Sequence, residues 1–406
     1  MGYFLITLSL FITWVFFIVI SMFGISYFGI GSGSSLFLIT VLAVNISASI
    51  YIFWYELHHK SKARGSKKPY FLPIILISIY FFESFLILKG NTSQSFTAFK
   101  DVISVATMGI WCGTFCYRYD KFKEIAKNLE LIMFISTIGI IMAVPRMFIA
   151  SLTPTIGGAG DHQILSYLSA VGFGVSFYRF FINPDYGYRI FNNKVYHAFS
   201  LILMLIQAGL CLIGGGRGGF VLLLLIAFFS LLAVKMSIKN IFLIGALGLS
   251  LLLLIDNVSG GSDYARSIRR VFSIFNSTKA SDVDSERDNL FRTAWDDIAS
   301  SPLIGYGVYR QYDMCKQQAN LPYWHNLFID FLMQGGIILF LIGSIIVYNV
   351  IRKGRNLIKR DKMHFLLIPL GLFPYTMLMF SGTYLTNSLF WFISIYILGK
   401  SKTLKK

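Results

Sequence analysis

Leu327 to Val350 reads LFIDFLMQGGIILFLIGSIIVYNV. One carboxylate and no cation interrupt this run. At about 1.5 Å of rise per residue, a helix of this length is about 36 Å long, enough to cross a hydrocarbon core about 30 Å thick. Apolarity is continuous rather than alternating, so the run reads as a helix and not as a strand of a membrane barrel. Ahead of it stands Tyr323-Trp324-His325-Asn326, an aromatic and polar mouth of the kind found where a helix enters a bilayer.

Outward from this helix the pattern repeats. Spans are expected at about 3–25, 34–55, 70–88, 102–117, 129–149, 164–182, 198–213, 219–234, 241–255, 325–351, 365–381 and 387–399, about twelve in all. The chain is therefore expected to be all-α, a polytopic integral membrane protein with one membrane domain over 1–406. Its first apolar run lacks the charged n-region of a cleavable signal peptide and reads as a span. Only 14% of residues are charged, against roughly a quarter in soluble domains.

The net charge of +17 invites a nucleic-acid reading, but the cations are in the wrong places for one. They gather at His58 to Lys68, Tyr117 to Asn128, Asn183 to His197, Lys235 to Asn240, Arg352 to His364 and Lys400 to Lys406. Under this span count all six segments fall on one side. That is the positive-inside signature, so this side and both termini are expected to be cytoplasmic. Cys112, Cys116, Cys211 and Cys315 show neither metal spacing nor a disulfide framework.

One connection is long: Asp256 to Trp324, on the outer face. It holds Arg266, Arg269, Arg270, Lys279, Arg287, Arg292, Arg310 and Lys316, and a basic outer loop asks for an anionic partner. Tyr264, Ile268, Val271 and Phe275 define one amphipathic face that suits a membrane surface. Leu290, Phe291, Ala294, Trp295 and Ile298 define a second helical stripe, ended by Ser301-Pro302 and the turn Gly305-Tyr306-Gly307. At least two helices are expected in this loop.

Three constellations have chemical potential. Gly214-Gly215-Gly216-Arg217-Gly218-Gly219 lies between two spans at the outer side, where a helix begins. Glycines let backbone N–H groups approach an anion, the helix N-terminus favours negative charge, and Arg217 adds a fork suited to phosphate. The competing reading is a tight turn with a snorkelling arginine. Of the six histidines, only His325 sits where the arginine-rich loop meets a membrane helix; the alternative there is an interfacial anchor beside Tyr323 and Trp324. Below it Asn326, Asp330 and Gln334 recur every four residues, lining a polar cleft or bonding to neighbouring helices. Arg146, after Pro145, either pairs with Glu83 or faces an anionic ligand. No Asp-x-Asp pair of a metal-dependent sugar transferase occurs in an early outer loop, and there is no Walker motif.

From Ser285 to Gly336 the chain resembles the O-antigen polymerase and O-antigen ligase superfamily. The matching pattern is Arg287 heading a helix, Phe291-Arg292-Thr293-Ala294-Trp295, then Ser301-Pro302-Leu303-Ile304-Gly305-Tyr306-Gly307, then His325-Asn326 and Gly336. Upstream, Gly216-Arg217-Gly218 stands where the family has Ser-Arg-Gly. Two positions depart from the pattern: Gly216 replaces that serine, and Gln334 stands where many relatives carry an acid.

The resemblance implies a fold of the membrane-embedded glycosyltransferase type, GT-C-like, with one large helical periplasmic loop over 256–324. It implies an enzyme of the bacterial inner membrane whose active site faces the periplasm. Its donor would be a glycan on undecaprenyl pyrophosphate, and its acceptor a hydroxyl of another lipid-linked sugar. The transfer would be inverting and metal-independent, without a cofactor. His325 would be the base, and Arg217 with Arg287 would hold the departing pyrophosphate. Tyr323, Asn326, Gly216, Gly218, Arg292, Arg310 and Arg146 would contact phosphate or sugar. Membrane lipid, a flippase and a chain-length regulator are the further expected partners, and nucleic acid is not one. A polymerase is the first expectation and a ligase acting on lipid A core the second. A flippase or transporter of lipid-linked sugar is more distant, because that class predicts internal repeats and charges deep in many spans.

Overall fold

The computed structural model describes residues 1–22, 35–87, 105–151, 159–188, 191–214, 217–234, 285–307, 314, 324, 326–380 and 382–403. Among these, all regular structure is helical. The helices are α1 (Gly2–Met22), α2 (Ser35–His58), α3 (Leu72–Ile87), α4 (Thr107–Tyr119), α5 (Phe122–Ser151), α6 (Ala159–Phe181), α7 (Lys194–Ile213), α8 (Arg217–Val234), α9 (Ser285–Ser300), α10 (Leu327–Arg360), α11 (Leu367–Phe380) and α12 (Ser388–Thr403). The expected span at 241–255 and the amphipathic face at Tyr264 to Phe275 lie outside the described residues.

Among the described residues six helical stretches are long and apolar enough to cross a membrane: Leu36–His58, Phe122–Met142, Gln163–Phe181, Lys194–Ile213, Leu327–Arg360 and Lys362–Phe380. Shorter apolar helices cover Gly2–Phe16, Lys68–Ile79 and Gly218–Val234. Exposed side chains confirm what surrounds them. On α2, Leu36, Ile39, Leu42, Ile46, Ile50, Phe53 and Leu57 are all exposed at helical spacing, a face suited to hydrocarbon. The protein is a multi-pass membrane protein.

The chain divides into two compact units, one comprising 1–48, 122–276 and 358–376, the other 49–121, 277–357 and 377–406. In the first, α6 packs against α7, α8 and α5, while α1 lies on α5. Small residues permit this closeness. A Cβ on Gly172 would sit 2.6 Å from the Gln207 amide, and one on Gly174 would sit 2.6 Å from Pro369. Gln207 is buried but satisfied. Its Nε2 donates to Thr137 Oγ1 at 2.9 Å, and its Oε1 accepts from Ser176 Oγ at 2.8 Å. One amide thus ties α5, α6 and α7 together.

In the second unit α4 lies against α12. Gly109 and Gly113 form a small-xxx-small face: a Cβ on them would meet the Ser388 carbonyl oxygen at 2.1 Å and the Phe392 carbonyl oxygen at 2.7 Å. Asp120, with φ 56° and ψ 47°, ends α4 in a left-handed turn.

Each unit holds a buried ion pair at a helix end. Arg118 forks onto Glu56, Nε to Oε1 at 2.8 Å and Nη2 to Oε2 at 3.1 Å, and donates Nη1 to the Gly65 carbonyl. Arg179 forks onto Glu130 and donates Nη1 to the Pro184 carbonyl. Both arginines are almost fully buried. The bidentate geometry and the extra carbonyl satisfy most of the guanidinium, which is what makes burial tolerable.

Candidate functional site

The expected continuous span at 325–351 is broken. Gly335 (φ −135°, ψ 19°) and Gly336 (φ 60°, ψ −156°) interrupt α10. In an unbroken helix the Ile337 N–H would go to the Met333 carbonyl. Here it goes to the Pro302 carbonyl at 2.8 Å. The Met333 carbonyl accepts from Tyr306 N instead, at 2.7 Å, and the Gln334 carbonyl accepts from Gly307 N at 2.9 Å. The segment 301–307 thus supplies partners that the broken helix gives up, which a buried backbone requires.

The two halves of this interlock meet through glycine. A Cβ on Gly336 would sit 2.3 Å from the Leu303 carbonyl, and one on Gly305 (φ 64°) would sit 2.7 Å from Gly336 N and from the Met333 carbonyl oxygen. Both have positive φ, where a side chain is strained. The segment is itself fixed by Ser301, whose Oγ donates to the Gly305 carbonyl at 2.9 Å, and by Tyr306, whose hydroxyl donates to the Asp297 carbonyl at 2.9 Å. Gly305, Gly307 and Gly336, distant in sequence, are one structural feature.

Beside the interlock, α9 packs on the start of α10. Ala294, Ile298, Trp324, Ile329 and Met333 form a buried cluster, with Phe291 and Tyr306 against it. The expected stripe on α9 holds at Phe291, Ala294 and Ile298. Trp295 departs from it at 57% exposure. The cluster brings the helix that carries Arg287 and Arg292 against the helix that Asn326 heads.

Asn326 is the N-cap of α10: its Oδ1 accepts from Phe328 N at 2.9 Å and from Ile329 N at 3.3 Å. One turn on, Asp330 is fully buried, and after it Gln334 accepts a hydrogen bond from the Tyr384 hydroxyl. Of the two readings of this polar face, Gln334 follows the one in which it bonds to a neighbouring element.

The remaining expected site residues are placed unevenly. His325, Tyr323, Arg310 and Gly216 lie outside the described residues. Arg217 opens α8, Arg146 lies on α5 and Arg287 on α9, but their side chains, and that of Glu83, lie outside the description. Arg292 is exposed on α9, and Gly218 is buried. Arg217 and Arg146 belong to the first unit; Arg287, Arg292 and Asn326 belong to the second. Near Arg217, the start of α8 is held tightly against α6. A Cβ on Gly219 would sit 2.1 Å from Ser166 Oγ, while that hydroxyl donates to the Cys211 carbonyl at 2.8 Å and Cys211 Sγ donates to the Gly219 carbonyl at 3.3 Å. Gly219 therefore has a packing role.

Sequence reasoning missed the buried pairs Arg118–Glu56 and Arg179–Glu130. A signal was present: Gly113 and Gly174 each precede by four residues a Tyr-Arg-aromatic triplet, Tyr117-Arg118-Tyr119 and Tyr178-Arg179-Phe180.

Comparison with known families gives one match. The family described as O-antigen ligase matches residues 200–344. No curated protein matches the chain. The matched stretch runs from α7 into the second half of α10 and contains Arg217, Arg287, Arg292, Arg310, His325, Asn326 and Gly336; Arg146 falls outside it. The match supports a membrane enzyme of the O-antigen ligase and polymerase type and does not separate ligase from polymerase.

Proposed function

We propose that the protein polymerises a surface glycan. It transfers a chain from undecaprenyl pyrophosphate to a hydroxyl of another undecaprenyl-pyrophosphate-linked repeat unit, at the periplasmic face of the inner membrane. The observation that carries the reading is that the stretch matched by the O-antigen ligase family is also the stretch in which the Pro302-to-Gly307 segment interlocks with broken α10, the helix that Asn326 caps.

Departure of a lipid pyrophosphate builds negative charge. Arg217 at the start of α8 and Arg287 near the start of α9 are the groups proposed to stabilise it, each beside a helix N-terminus that favours an anion. His325 is proposed to take the proton from the acceptor hydroxyl. Its unperturbed pKa of about 6.5 suits a neutral base, and arginines brought beside it would favour the neutral form. General-base assistance of this kind is typically worth about 10²–10⁴ in rate. Arg292, Arg310, Arg146, Tyr323 and Asn326 are proposed to position phosphate or sugar. The Asn326 Oδ1 is committed to capping, which leaves its Nδ2 for a ligand.

A second reading, ligation to lipid A core, is favoured by the description of the matched family. The surface-glycan ladder of a deletion strain separates the two. Loss of a polymerase leaves single repeat units on lipid A core; loss of a ligase leaves long chains on undecaprenyl pyrophosphate and none on lipid A. Stably inserted His325→Ala or Arg217→Ala protein that restores a full ladder would falsify the proposed roles of those residues.

A further inference from the structure

The second unit carries a cleft that the transfer reaction does not use. Its volume is 390 Å³, and Tyr55, Lys62, Arg64, Tyr119, Asp120 and Lys121 line it. It lies between the end of α2, the segment that follows, and the end of α4, outside residues 200–344. Three cations and one acid face it. The acid is already neutralised, since Lys400 Nζ lies 2.6 Å from Asp120 Oδ1. Glu56, the next nearest carboxylate on α2, is taken by Arg118. The cleft therefore keeps a cationic excess.

Helix C-termini ordinarily repel anions through their open carbonyls. Here carbonyls at the end of α4 are occupied: Lys121 N donates to the Cys116 carbonyl at 3.0 Å, and Arg64 N donates to the Arg118 carbonyl at 2.9 Å. The wall is rigid and aromatic. The Tyr55 ring stacks on His59 at 4.1 Å and meets Tyr119 edge-on at 4.9 Å, with Lys121 Nζ 5.8 Å from its centroid.

The depth of the cleft is set by its neighbours. Ile50, Phe53, Trp54 and Leu57 are exposed on α2 up to its rim, and Phe71, Ile74 and Ile75 are exposed where α3 begins. Two hydrocarbon-facing helices thus flank one polar, basic segment, which puts that segment at the membrane–water boundary. Basic pockets at such a boundary suit anionic lipid headgroups.

We propose that this cleft binds the phosphate of an anionic phospholipid, with Arg64, Lys62 and Lys121 donating to its oxygens and the acyl chains lying along the exposed face of α2. A soluble phosphate offers the same oxygens; the apolar face at the rim favours the lipid. The test is native mass spectrometry of the delipidated full-length protein, titrated with phosphatidylglycerol or with phosphatidylcholine of equal chain length. Phosphatidylglycerol should be retained several-fold better. Lys62→Gln, Arg64→Gln and Lys121→Gln should each lower that preference, on the order of fivefold per cation. Lys67→Gln and Lys68→Gln, in the same basic segment but outside the cleft, should leave it unchanged. Lys62→Gln alone is the safeguard against misfolding, because that side chain is exposed. Equal retention of the two lipids overturns the proposal, as does an equal loss from the cleft and control variants. Binding of inorganic phosphate without a phosphatidylglycerol preference overturns the lipid assignment.

Discussion

Gly336 cannot be exchanged cheaply. A Cβ there would strain a φ of 60° and press to 2.3 Å from the Leu303 carbonyl, and each such strained backbone position costs about 1–3 kcal/mol. Gly336→Ala should therefore lower the melting midpoint of the purified protein markedly. Gly354→Ala on the same helix should do far less, because its nearest neighbour is the flexible end of Ile397 at 3.2 Å. A comparable fall for both would show that the break in α10 is not what Gly336 protects. Asn326→Ala removes the cap and should cost about 1 kcal/mol, while Asn326→Asp keeps an accepting oxygen and should cost less; thermal melts of the two variants check this. The sequence marked Asn326 as polar at a helix mouth. It did not reveal the cap, which depends on where the helix starts.

At the scale of elements, the structure couples pieces that lie far apart in the chain. Gly305 and Gly336 meet each other, so Gly305→Ala and Gly336→Ala break one contact from two sides. Their destabilisations should be clearly sub-additive, as expected for residues in contact; additive melting shifts would mean that the 301–307 segment and the helix break are independent. The buried ion pairs behave differently. Arg179→Ala leaves Glu130 buried without its partner and should destabilise by about 3–5 kcal/mol, whereas Arg179→Met with Glu130→Leu should recover much of that loss. Denaturation of the single and double variants in one detergent decides it. Among the described residues, expected and observed helix bounds agree closely at α2, α3 and α7. The break at Gly335–Gly336 was not readable, because an apolar run with two glycines scores like any other span. Hydrogen bonds to Pro302, Tyr306 and Gly307 stabilise it.

For the whole molecule, the positive-inside reading makes a topological prediction. In otherwise intact cells, a Ser281→Cys variant should react with an impermeant maleimide from the periplasm, and a Lys67→Cys variant should react only after permeabilisation. The reverse pattern would invert the molecule and move the proposed site to the cytoplasm. At this scale the ladder experiment also separates chain extension from ligation, which share their chemistry and differ in acceptor. An acceptor is recognised by a surface, and a surface is assembled from segments that no short motif contains.

The class of the protein is legible from its residues alone. Hydrocarbon imposes length and apolarity on every span, the leaflets impose a charge asymmetry on the connections, and both rules act residue by residue along the chain. The sequence also carried the order of the family motif, Arg287 to Gly336. What several motif residues do depends on tertiary contact. Gly305 and Gly336 let a loop and a broken helix approach each other, Gly307 N donates across to the Gln334 carbonyl, Asn326 caps that helix, and Gly219 makes room for Ser166. Tertiary contact also decides that Arg118 and Arg179, which stand among topology-setting cations in the sequence, are buried against carboxylates. Those outcomes depend on which helix packs beside which, and that is fixed by long-range contact rather than by local pattern.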